Sequence, residues 1–176
     1  MEIVIIIMLL ACLIAVWLIT VRRRLTEMNE NVNHAMVQMG VQLTSIFETL
    51  KTLPKLTESH APIESQVMLD MIDNRKWNID AGSLPEEVTE QENIISQVLG
   101  CFAAIADKQT ELQEDAGCIQ CLEVVDSYRK MLYTGSLIYN DSVTKLNRAV
   151  GKFPNELLAG ILGFHKRDYI YFDENE

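Results

Sequence analysis

Hydrophobic residues are laid out along this chain in two ways. From Ile3 to Val21 they are continuous, 19 residues (IVIIIMLLACLIAVWLITV) without a charge. As a helix this run spans about 29 Å, close to the roughly 30 Å of bilayer hydrocarbon. It is apolar on every face, whereas the helix of a soluble core keeps a polar side. Beyond the run the spacing becomes periodic. Leu25, Met28, Val32, Ala35, Met39, Leu43, Ile46, Leu50 and Leu53 follow in steps of three or four, a seam with a period near 3.5. No breaker separates Val21 from Leu25, so the pattern predicts one helix running from the apolar span into the seam.

Pro54 and Pro62 interrupt that stripe. Each lacks an N–H and crowds the preceding turn, so a kink or a chain reversal is expected between them. Ile63, Val67, Met68, Met71 and Ile72 continue the stripe to about Arg75. Residues 78–85 read as a loop, with a helix start at Ser83 or Pro85 ahead of Glu86 and Glu87. The next helix carries Val88, Ile94, Ile95, Val98, Leu99, Phe102, Ile105 and Leu112, and the chain turns near Asp115-Ala116-Gly117. The last long stripe is Ile119, Leu122, Val125, Leu132, Ser136, Tyr139, Val143, Leu146, Val150 and Phe153. Gly151 and Pro154 close it, and a short apolar helix over 155–162 ends at Gly163. No segment alternates as a strand would. The expected fold is all-α: a transmembrane helix over 1–21, then over 22–176 an elongated antiparallel helix bundle whose stripes bury one another.

Charge adds an orientation. The 176 residues carry 25 acids against 15 bases, a net charge of -10. That balance argues against nucleic acid as a partner, because phosphate contacts need clustered Lys and Arg. All 15 bases lie beyond residue 21, and the first three, Arg22, Arg23 and Arg24, directly follow the span, which only Met1 and Glu2 precede. The positive-inside rule then predicts the N-terminus outside and the bundle in the cytoplasm, with Trp17 at the membrane interface. A cleaved signal peptide would carry its bases before the apolar run and a small-residue site after it. Leu9-Leu10-Ala11-Cys12 loosely resembles a lipoprotein cleavage box, but Cys12 lies mid-span with LIAVWLIT after it. The run therefore reads as an anchor.

Candidate chemistry is sparse. Cys118-x-x-Cys121 has the spacing of one half of a zinc site, with Cys101, His34, His60 and His165 elsewhere, and a second short-spaced pair is missing. A thioredoxin-type motif would need a strand before it, and a cytoplasmic setting keeps thiols reduced. There is no GxSxG, HExxH, Glu-x-x-His or phosphate-cradling loop. The acidic pairs Glu86-Glu87 and Glu114-Asp115 suit helix starts better than catalysis. Asn140-Asp141-Ser142 is a sequon that is silent in the cytoplasm. Met28, Met36, Met39, Met68 and Met71 suit core filling more than an adaptable binding face. No catalytic residue, cofactor or metal site is expected. The very apolar stretch from Phe153 to Phe164, ahead of His165-Lys166-Arg167, is expected to cap the bundle end or to touch protein or lipid.

At these residues the chain resembles the LemA family. Tyr139-Asn140 with Val143 and Asn147 fits YNxxVxxxN, Phe153-Pro154 fits FP, and Ala159-Gly160 with Gly163-Phe164 fits AGxxGF; Lys166-Arg167-Asp168-Tyr169 gives the basic-acidic-aromatic end. Gln42-Leu43, Phe47-Glu48-Thr49-Leu50 and Arg75 resemble the family's first-helix pattern, and Glu92-Asn93 with Leu99-Gly100 its middle one. Three places depart: Ser136 stands where an Arg is usual, Pro54 where an apolar residue is usual, and Glu111–Gly117 replaces a Tyr-Pro-x-Leu-Lys-Ala-Asn turn. The resemblance implies a single-pass protein of a bacterial inner membrane, or of an intracellular membrane compartment, with a cytoplasmic bundle of about four helices. It brings no catalytic residue with it. The resulting expectation is a non-enzymatic scaffold or adaptor. The alternative is a protein that remodels membranes or forms membrane compartments, as in magnetosomes, and a zinc or thiol-redox module through Cys118 and Cys121 ranks below both. Expected partners are the lipid bilayer through Ile3–Val21, further protein that the sequence does not name, and a second copy of the chain.

Overall fold

The computed structural model describes residues 1–74 and 78–172, so Arg75, where the third stripe was expected to end, lies outside the described residues. Helix α1 runs unbroken over Glu2–Leu50, 49 residues, joining the apolar span to the seam as its periodicity predicts. Residues 1–20 are all exposed, and burial begins at Val21 and Leu25. The seam residues from Val32 to Leu53 are buried, while Met28 is half-buried. The N-terminal part, with a mean hydropathy of 3.2 over 18 residues, is long and apolar enough to cross a membrane.

Pro54 and Pro62 have different effects. The helix breaks at Lys51, three residues ahead of Pro54, whose ring and missing N–H disturb the turn before it. Helix α2 (Thr52–Thr57) then continues briefly, and the reversal comes between Thr57 and Pro62, the first residue of α3 (Pro62–Asp73). The Thr57 carbonyl accepts from both His60 N and Ala61 N, at 3.0 and 2.9 Å. Its hydroxyl shares a hydrogen bond of 2.7 Å with Ser65 Oγ, so two buried hydroxyls satisfy each other across the turn. Of the α3 stripe, Met68 and Ile72 are buried and Met71 is half-buried. Ile63 and Val67 instead face solvent at 76% and 42% exposure, because α3 packs on α2 and α4 but lies away from the long helices.

Beyond α3, Ile79 meets Gly40 of α1, where a Cβ would stand 3.0 Å from that of Ile79. Helix α4 (Pro85–Ala106) turns outward again, with the Glu87 carboxylate accepting from Leu84 N at its start. It stops short of Leu112. After a turn, α5 (Thr110–Glu114) folds back, Gln113 Nε2 donates 2.9 Å to the Ala106 carbonyl, and Leu112 is buried from this separate helix.

Helix α6 (Ala116–Val150) runs antiparallel to α1 along its length. Cys121 Sγ lies 3.4 Å from Thr49 O, and Gly135 packs on Met39 further along. Along α6 the stripe from Val125 to Val150 is buried, but Ile119 is 44% exposed and Phe153, beyond the helix end, 76% exposed. Helix α7 (Asn155–Leu162) packs on both α1 and α6. Among the described residues the architecture is a long antiparallel pair, α1 and α6, with α4 laid on α1 and α3 packed outside it on α2 and α4.

Candidate functional site

The near half of the long pair is covered by chain that is not helical. Residues 164–172 leave α7 and run back along α6 until Tyr171 O lies 3.4 Å from Thr89 Oγ1 in the first turns of α4. Two asparagines of α6 hold this strap. Asn147 Nδ2 donates 2.8 Å to Arg167 O, and Arg167 N donates 2.8 Å to Asn147 Oδ1. Asn140 repeats the arrangement with Ile170, at 2.7 and 2.9 Å.

The side-chain amide suits this use because it offers one donor edge and one acceptor, as a peptide unit does. It can therefore pair with both backbone groups of one residue, and neither Asp nor Leu can. The spacing is geometric as well. Seven residues of α-helix rise about 10.5 Å, and three residues of extended strand cover about 10 Å. Asn140 and Asn147 thus meet Ile170 and Arg167 in opposite chain directions. Between the clamps, the Tyr139 hydroxyl donates 3.1 Å to Asp168 O, and Thr144 Oγ1 lies 3.3 Å from the Tyr169 hydroxyl. Burial pushes the Tyr139 phenol up, which keeps that donor protonated. Val143 is fully buried on the same stretch of helix. The Arg167 guanidinium extends the strap to α1, 3.3 Å from Asn33 Oδ1 and 3.5 Å from Asn29 Oδ1.

The second part of the signature ends a helix. Gly163 has φ +77°, in the left-handed region. Phe164 N donates 2.9 Å to Ala159 O and Gly163 N 3.4 Å to Gly160 O, the two bonds of a Schellman stop. Ala159 is fully buried, and Leu158 and Phe164 are half-buried against the core. Phe153-Pro154 is a cis peptide at the entry to α7. The C-terminal part of the signature, from Tyr139 to Tyr169, is therefore joined in one device that holds α7 and the strap, a role the sequence alone did not reveal. Asn29 and Asn33 had no part in the sequence-based site, and Arg167 entered it only through the resemblance, because a hydrogen bond between distant polar residues leaves no periodic trace.

Other expected features lie apart from this device. Trp17 and the three arginines Arg22, Arg23 and Arg24 are exposed on α1. Ser136 is buried and donates to Tyr133 O of its own helix, 2.8 Å away. Glu92 pairs with Arg129 of α6, which also donates 3.2 Å to Ser96 Oγ. Cys118 and Cys121 occupy the first turns of α6, where the Asp115 carboxylate accepts 2.9 Å from Cys118 N as the cap. Among the described residues no three His, Cys, Asp or Glu side chains are grouped to hold a metal.

Burial, and then the Asp115 carboxylate, push the Cys118 thiol up to about 11 from the usual 9.0. Burial raises Cys121 as well. Such thiols are protonated and poorly nucleophilic at neutral pH. Alkylation of Cys118 in the folded protein at pH 8 is expected to lag an ordinary thiol by roughly 100-fold, the ratio of thiolate fractions. It should then climb about tenfold per pH unit until near pH 10. Peptide mass spectrometry after timed iodoacetamide treatment measures this, and fast labelling at pH 8 would contradict the assignment.

A model of the LemA family matches residues 35–176, which takes in the seam of α1 from Ala35 onward, the returning bundle and the strap. No curated protein matches the chain. The matched stretch contains every residue of the clamp and of the helix stop, and on that match the chain belongs to the LemA family.

Proposed function

We propose that this LemA family protein is a membrane-tethered, non-enzymatic scaffold whose bundle stands on the cytoplasmic face of a bacterial inner membrane. One observation carries the reading: the exposed apolar segment and the bundle core lie on a single unbroken helix. A helix apolar on all sides and unburied by its own chain is stabilised by lipid, and the arginines that follow it favour the cytoplasmic side. The polar groups of the signature are occupied with the protein's own backbone. That use supports a structural role for them over a catalytic one.

The test combines extraction with protease access. Full-length protein is expected to resist alkaline carbonate and high salt and to dissolve only in detergent. The bundle should be cleaved in inverted vesicles and protected in intact spheroplasts. Release by carbonate would remove the anchor, and cleavage in spheroplasts would reverse the orientation. Turnover of a small molecule by the purified protein, abolished by one substitution that leaves the fold intact, would end the non-enzymatic reading.

A further inference from the structure

Helix α7 carries an apolar row that the bundle does not use. Leu157 and Ile161 stack one turn apart on it, and Phe153, two residues before the helix, is exposed beside its entry. They are 65%, 80% and 76% exposed, while Ala159 is fully buried. Such a row on a monomer's surface calls for an occupant.

Register shows where this row lies. Gly135 of α6 packs on Met39 of α1, and the helices are antiparallel. Fifteen residues on from Gly135 is Val150, the last of α6; fifteen back from Met39 is Arg24. The end of α6 therefore faces the point where the apolar span gives way to arginines. Helix α7 follows directly and packs on both long helices at that level. Val21 is buried there, although the twenty residues before it are exposed.

Charge at this end differs from the rest of the chain. Six exposed bases, Arg22, Arg23, Arg24, Arg148, Lys152 and Lys166, gather here with four exposed acids, Glu27, Glu30, Glu156 and Asp168, in a protein whose net charge is -10. An apolar helical face rimmed by bases is the pattern of a helix lying in the membrane interface.

We infer that α7 rests on the anionic bilayer crossed by α1, with Leu157 and Ile161 at the boundary between headgroups and acyl chains and Arg148, Lys152 and Lys166 among the headgroup phosphates. The inference depends on the anchored reading above. The bilayer is favoured over a protein partner because the row lies level with the end of the apolar span, where headgroups already occupy the space.

The test uses the full chain in phosphatidylglycerol-containing vesicles, with Trp17→Phe and Trp77→Phe as background and Ile161→Trp as reporter. An Ile63→Trp reporter at the opposite end of the bundle, where Ile63 is 76% exposed, serves as reference. Acyl-brominated lipid is expected to quench the Ile161→Trp reporter several-fold more than the reference, and aqueous iodide several-fold less. Removing phosphatidylglycerol, or adding Lys152→Glu with Lys166→Glu, should weaken the lipid quenching. A charge-independent result would overturn the headgroup contacts. Iodide quenching equal to the reference would overturn the inference, and shielding from both quenchers would replace lipid by protein. Carbonate extraction of the same vesicles separates the two readings. An integrated chain with a water-exposed reporter sinks only this one, and a chain that fails to integrate sinks both.

Discussion

Replacing Asn140 and Asn147 together by leucine is expected to release residues 164–172 and to cost roughly 2–4 kcal/mol of stability. Each asparagine makes two hydrogen bonds to the strap backbone. A buried backbone group deprived of its partner costs about 1–3 kcal/mol. The strap escapes part of that cost by peeling into water, but then loses the burial of Ile170 and uncovers Tyr139 and Val143. Hydrogen exchange should report the release directly, with the Arg167 and Ile170 amides losing most of their protection while the middle of α6 keeps its own. The aspartate pair is the sharper comparison. It keeps the size and the acceptor for each N–H, removes the donor, and sets a carboxylate against each carbonyl, so a similar loss is expected. Because the clamps hold one segment, the single variants should not sum to the double. An unchanged urea midpoint with full amide protection in the double variant would show that the strap is held by other contacts.

Gly40→Val is expected to cost about 3 kcal/mol, near the upper end for overpacking. A side chain there meets the Ile79 carbonyl and Cβ, and backbone yields less readily than the tip of a flexible side chain. The loop after α3 would have to move off α1, drawing the start of α4 with it. Gly100→Ala is the matched control, since a Cβ there meets nothing within 4 Å. In a helix interior it should stabilise by about 0.5–1 kcal/mol. Urea unfolding of both variants tests the pair, and equal midpoints would mean that the Gly40 contact is not tight.

The parts legible in sequence were those with a period. The seam from Leu25 to Leu53 is buried as its spacing predicts, with only Met28 half-exposed, and the α6 stripe behaves in the same way from Val125 onward. Periodicity reports which face is apolar, not whether a neighbour arrives to cover it. Ile63, Val67, Ile119 and Phe153 lie on readable stripes and still face solvent, Val67 in the middle of α3 and the others at or beyond element ends. The reversal after Thr57 depended on a hydroxyl pair, Thr57 with Ser65, that no apolar pattern records. The strap was the least legible element of all. Its partners are single polar residues two helical turns apart, and its own chain has neither helical nor strand regularity. The resemblance marked those residues, and only the geometry gave them work.

The unbroken helix α1 makes the molecule a lever. Its arm from Val21 to Leu50 measures about 43 Å at 1.5 Å per residue. A 10° change in the tilt of the apolar segment therefore sweeps the far end sideways by about 8 Å. The hinge that would absorb such a swing, a glycine or proline just outside the span, is missing between Val21 and Met39. On the anchored reading proposed above, a change of bilayer thickness that alters the tilt of the apolar segment would thereby be geared directly to the position of the far end of the bundle.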